Sequence, residues 1–231
     1  MKNQYFGDKR DFLKYNLLLD LLECLDLATL TFIPMLTPDD GTNEGYFKRY
    51  KCKDRRGDLN EFLKSNKEIS SLSRYFKKYS FVYYPYKDNI FFKHSTRKEY
   101  FSFIPQKYLQ GSLIFIDPDV GLETGECGYM RQKGLEKYLF YYDVESIVKE
   151  AATPCLFAIY QHLQRDQRKV ISDLTYRSEI LSAIIRSKNI GYLKDHDIAF
   201  LVGSGSNQVL DDALIVLQNH SKYHGVEYGV V

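Results

Sequence analysis

The chain has no tryptophan, and only four cysteines, six prolines and three methionines among its 231 residues. Cys24, Cys52, Cys127 and Cys155 show no C-x-x-C spacing, which signals neither a zinc ribbon nor a redox pair. So few prolines, with 14 glycines, exclude a fibrous or low-complexity chain. No apolar run approaches the roughly 20 residues that span a bilayer. The stretch Met1–Lys14 is polar and lacks the apolar region of a secretion signal. These absences predict a cytoplasmic protein with reduced thiols and no membrane partner. Cys24 and Cys155 lie in apolar runs and are expected to be buried.

What the chain does have is 44% hydrophobic residues, with 20 Tyr and 15 Phe. That is too apolar for disorder and enough for a core without staples. A net charge of +2 conceals a division: residues 46–110 carry +10 and the remainder carries −8. Such asymmetry can mark a polyanion-facing lobe, or a solvated lysine-rich surface. The expected organisation is one domain over 1–231, with 46–110 as a basic, aromatic-rich insert or subdomain.

The patterning predicts alternating helices and strands. Phe12, Tyr15, Leu18, Leu19 and Leu22 recur at helical spacing from a cap at Asp8 or Asp11 to about Asp26. Leu30–Leu36 reads as a strand, 58–65 and 68–78 as short helices, and 80–86 as a strand. Ser112–Ile116 is the clearest buried strand, closed by Asp117-Pro118. A helix over 144–151 capped by Asp143, a strand over 154–160 and a helix over 167–185 follow. Ile198–Val202 and Ala213–Leu217 are expected to form an antiparallel C-terminal strand pair. Apolar strands alternating with helices give an α/β class with a mainly parallel sheet.

Ligands of open α/β sheets bind beyond the strands' carboxyl ends. Two such ends here are rich in carboxylates: Thr37-Pro38-Asp39-Asp40-Gly41 and Asp117-Pro118-Asp119-Val120. If their strands are neighbours, four Asp side chains converge. They could bind a cofactor's hydroxyls or amine, accept from a substrate amine or hold a divalent metal; the alternative is turns and caps. A third strand end carries His162, the best placed of the five histidines. Asp11 and Lys14 lie one helical turn apart and could form a surface ion pair worth a few tenths of a kcal/mol. In the basic segment, Lys48, Arg49, Lys51, Arg55, Arg56, Lys93 and Arg97 are interleaved with aromatics, a pattern suited to phosphates and stacked bases or to an aromatic core.

The block Gly7-Asp8-x-x-Asp11-x-x-Lys14-Tyr15 resembles the opening of bacterial proteins related to Rossmann-like S-adenosylmethionine-dependent methyltransferases, in particular the ribosomal-RNA adenine-N6 methyltransferase J type. There a similar Gly-Asn-x-x-Asp-x-x-Lys-His block precedes a helix, and a strand ending in Asp-Pro-Pro-Tyr comes later; Ile116-Asp117-Pro118 falls at the second motif. The resemblance implies a Rossmann-like three-layer sandwich. It also implies Lys14 on the cofactor's carboxylate, with Asp39, Asp40, Gly41 and Gly45 beside it, and Asp117 facing the target amine, with Asp119 and His162 nearby. The sequence departs from the pattern in having Asp119-Val120 after Asp117-Pro118 and no Gly-x-Gly after the first strand. The expected function is thus S-adenosylmethionine-dependent methyl transfer, possible on nucleic acid held by 46–110. The carboxylates leave open a Mg²⁺- or Mn²⁺-dependent nuclease or phosphohydrolase. A non-catalytic nucleic-acid-binding protein of a mobile element or defence system is the third reading.

Overall fold

The computed structural model describes residues 1–25, 27, 29–41, 56–83, 91–152 and 154–231. Helix α1 (Lys9–Cys24) leads into strand β1 (Thr29–Pro34). Helices α2 (Gly57–Ser65) and α3 (Leu72–Tyr75) precede β2 (Ser80–Tyr83), and α4 (Arg97–Ser102) precedes β3 (Ser112–Asp117). Then come β4 (Gly121–Leu122), α5 (Cys127–Lys133), β5 (Tyr138–Leu139) and α6 (Tyr141–Glu150). The chain continues with β6 (Leu156–His162), α7 (Gln167–Ile185), β7 (Gly191–Asp195), β8 (Ile198–Gly203), α8 (Asn207–His224) and β9 (Glu227–Val230).

The main sheet has the order β2-β1-β3-β6-β8-β7-β9. Its first four strands are parallel; β8 runs against β6 and β7, and β9 runs against β7. The fold is therefore α/β with a mostly parallel central sheet. Period-2 alternation divides each central strand between two apolar clusters. Leu113 and Phe115 pack with Leu18 and Leu21 of α1 and Leu217 of α8. Ile114 and Ile116 pack with Val144 of α6 and Leu174 of α7. Such strands must be apolar at every position, which is why Ser-Leu-Ile-Phe-Ile stands out in the sequence. Among the described residues, no helix is long and apolar enough to cross a membrane.

Three expectations fail here for physical reasons. Ala213–Leu217 is the middle of α8, not a strand. Leu210, Ala213 and Leu217 recur at helical spacing and are buried, whereas Ile215 between them is 57% exposed. The Gly203–Ser206 stretch is a strand-to-helix turn, and Ser206 accepts from Val209 N–H to cap the helix. The antiparallel end of the sheet is instead built by β7, β8 and β9. Cys24 is exposed at the last turn of α1, while Cys155 is buried as expected. Asp143 lies inside the first turn of α6, where its carboxylate accepts from Phe140 N–H at 2.9 Å.

Candidate functional site

From β1 the chain moves outward to β2, then crosses back to β3 on β1's other side. That reversal is a topological switch point, the kind of place where open α/β sheets bind ligands. A cleft of about 830 Å³ lies beside it, beyond the ends of β3 and β6, lined by Asp8, Asp11, Lys14, Asp117, Asp119, Tyr160 and His162 among others; the end of β1 is covered by Met1, whose ammonium donates to Met35 C=O and whose carbonyl accepts from Thr37 N–H.

Its floor is an ion triad. Asp8 caps α1 by accepting from Asp11 N–H, which sets the helix's first turn against the end of β3. Lys14, one turn on, donates to Asp11 Oδ1 and to Asp117 Oδ2, both at 2.8 Å. Asp11 also accepts from Gly7 N–H at 2.9 Å. Lys14 is 4% exposed and Asp117 is 1% exposed, so the expected surface pair between Asp11 and Lys14 is a buried bridge instead. Burial pulls the Lys14 ammonium down, but Asp11 and Asp117 outweigh it and hold it above the ordinary lysine range. Burial pushes the Asp117 carboxyl up, against the opposing pull of Lys14. One oxygen, Asp117 Oδ1, accepts no hydrogen bond among the described residues.

Above the floor, Tyr160 presents its ring 4.9 Å from Lys14 Nζ, and its Oη lies 3.3 Å from His162 Nε2. Burial lowers His162 to about 4, so it is neutral at physiological pH. Asp119 is engaged by Lys2 and by the Met1 ammonium, both at 3.3 Å. At the rim, Lys9 pairs with Asp195 at 2.9 Å and Arg10 pairs with Asp197, tying α1 to the β7–β8 turn.

Asp39, Asp40 and Gly41 do not line this cleft. They are exposed and latched to the first residues of the chain: Gln4 N–H donates to Asp39, and Lys2 and Tyr5 donate to Asp40, each at 3.0–3.2 Å. Lys2 therefore joins Asp40 to Asp119, and the two carboxylate-rich loops meet through a cation. Gly45, Lys48, Arg49, Lys51 and Arg55 lie outside the described residues.

Two basic candidates are corrected. Arg56 donates to Asp20 and Glu23, each at 2.8 Å, and to Asn16. Arg97 is 2% exposed and paired with Asp143. Arg56 is engaged by buried Asp20 and exposed Glu23 and Arg97 by buried Asp143, so neither charge is left for a polyanion. Lys93 is exposed.

The residues do not fit the metal reading. Among the described residues, no group of three or more His, Cys, Asp or Glu side chains could hold an ion. Ammonium groups already stand between the carboxylates. Lys2, Tyr160 and the Asp195–Asp197 turn had no sequence signal as site residues, and Asp8 had only its place in the Gly7–Tyr15 block and as a helix cap. Lys2 meets Asp40 across 38 positions, because β1 returns alongside α1 and brings its end to the first residues of the chain.

Asp8 gives a pH prediction. Burial, then Asp11, raises its carboxyl to about 6 from the ordinary 3.8. An acid raised in the folded state favours folding while protonated, and that advantage is lost as pH rises through about 6. Asp8→Asn keeps the cap acceptor and removes the charge. It should stabilise the protein at pH 8 by on the order of 1 kcal/mol. The gain should close as pH falls towards 4, as read from Tm against pH; a gain independent of pH would refute this account.

No protein-family model, curated protein or solved structure matches the chain. Function rests on the cleft's chemistry.

Proposed function

We propose that the chain is a Rossmann-like three-layer protein of methyltransferase type that binds S-adenosylmethionine in the cleft at the ends of β3 and β6 and acts on an amine of nucleic acid. The observation that carries the reading is Asp117, which lines the cleft at the end of β3 with one oxygen held by Lys14 and the other accepting no hydrogen bond among the described residues.

When bound, S-adenosylmethionine supplies an electrophilic methyl group. The chain's part is placement. Lys14 has three N–H donors, two of which are used on Asp11 and Asp117. The third is available to a cofactor carboxylate. Asp117 Oδ1 would accept a hydrogen bond from the acceptor amine and align its lone pair. Lys14 prevents Asp117 from turning away. Alignment of donor and acceptor would do most of the work. The unpaired thiols Cys24, Cys127 and Cys155 fit a reducing, cytoplasmic setting.

The test is calorimetric titration with S-adenosylmethionine and S-adenosylhomocysteine, together with Asp117→Asn. We expect heat with the wild-type chain, and loss of methyl transfer without loss of fold in Asp117→Asn. Absence of both heat and thermal shift with either ligand would overturn the reading. Tight nucleic-acid binding without turnover would favour a non-catalytic protein.

A further inference from the structure

A second cleft of about 790 Å³ adjoins the first, and Val120, His162 and Arg165 line both. Its chemistry is different. Tyr129 on α5 lines it with a ring that is 48% exposed. Lys133, one turn on, holds its ammonium 5.8 Å from that ring's centroid. Among the described residues neither Lys133 nor Arg165 is in an ion pair, and both are exposed.

Arg177 of α7 shows that this wall is built. It is 5% exposed and clamped: Nε donates to Asp173 at 2.8 Å, and Nη1 donates to the carbonyls of Leu122 and Glu123 at 2.9 Å. Its Nη2 makes no hydrogen bond among the described residues. Glu126, Asp166 and Asp173 line the cleft too, but Asp173 is paired with Arg177 and Asp166 with Arg168, so Arg177 offers a fixed spare N–H donor while Lys133 and Arg165 bring the uncompensated charge. The same strand, β4, is held from its other polar side as well. Gly121 has φ +136°, and the Gln161 side chain sits 2.5 Å from where a Cβ would be. That close approach lets Gln161 accept from Leu122 N–H at 2.8 Å.

We propose that this second cleft holds a base-and-phosphate unit and presents it across Val120 and His162 to the neighbouring site. Tyr129 stacks on the base, and Lys133, Arg165 and the free Arg177 nitrogen hold phosphate. Stacking on an exposed ring tolerates any base, while clustered cations track the backbone. The proposal deepens the methyltransferase reading and rests on it for the reaction, but not for binding. It moves the nucleic-acid contact from 46–110 to the α5 side.

The experiment is fluorescence anisotropy of the full chain with short, labelled single-stranded DNA and RNA, each at several salt concentrations. Tyr129→Ala should weaken binding roughly tenfold or more. Lys133→Gln and Arg165→Gln should each lower the salt slope by about one. All three side chains are exposed, so folding is not at issue. AMP as competitor separates the sources: displacement means a free nucleotide suffices, and no displacement means a strand is required. The proposal falls if the wild-type chain binds neither oligonucleotide nor AMP. It also falls if the cleft variants bind as well as wild type, or if Lys93→Gln weakens binding as much as they do. Oligonucleotide binding lost in Tyr129→Ala, together with no heat from S-adenosylmethionine, would keep the cleft and remove the donor reading.

Discussion

Replacing Lys14 with Met destabilises the fold by about 3–5 kcal/mol, the range for breaking a buried pair from one side. The cost comes from what remains. Asp11 and Asp117 are 4% and 1% exposed, and both would keep a carboxylate next to the other with no cation between. Surface pairs at this spacing contribute only tenths of a kcal/mol, so the size of the loss distinguishes a buried bridge from a surface one. Urea unfolding at pH 7 reads it directly. The deficit should shrink as pH falls, because burial already raises the Asp117 carboxyl and its protonation removes the uncompensated charge. Asp11→Asn and Asp117→Asn added to Lys14→Met should recover part of the loss, because neutral amides need no counter-charge. A change below about 1 kcal/mol would mean that the triad is solvated and does not organise the site.

The same triad shows what the sequence could and could not disclose. Asp8, Asp11 and Lys14 were visible as a block, and β3 was visible because both its faces are buried. Their meeting was not visible, since Lys14 and Asp117 are 103 positions apart and only the order β1-β3 joins them. The helix over 167–185 was legible to the residue, with Asp166 capping it and Arg186 in the left-handed region closing it. Ala213–Leu217 was not, because five apolar residues in a row suit a buried strand or a buried helix equally. Charge counting misled in a different way. The +10 of residues 46–110 includes Arg56 and Arg97, whose charges answer Asp20, Glu23 and Asp143. The acidic and basic halves of the sequence thus partly neutralise each other inside the fold. The cations of the α5 side, by contrast, sit in an unremarkable local composition and gain meaning only from Tyr129 and Arg177 beside them.

Arg97→Met should be the other large loss, again about 3–5 kcal/mol, and it tests that correction directly. The Arg97 guanidinium pairs with Asp143 and donates to the carbonyls of Leu135 and Tyr138 at 2.7 and 2.9 Å. It also lies 4.0 Å from the Phe140 ring centroid and 4.9 Å from that of Phe92. One side chain therefore holds the approach to β5 and the start of α6 together. Burial already raises Asp143 to about 6 even with Arg97 present. Without the arginine its carboxyl rises further, so the variant binds a proton that wild type has released. The deficit should therefore grow as pH rises from 5 to 8, which thermal unfolding across that range would show. Arg97→Met with Asp143→Leu should be less damaged than Arg97→Met alone, since the uncompensated charge is gone. At low temperature, where the variant is folded, its affinity for single-stranded oligonucleotide should equal that of wild type. A variant that unfolds normally but binds nucleic acid weakly would return Arg97 to the interface and remove it from the core.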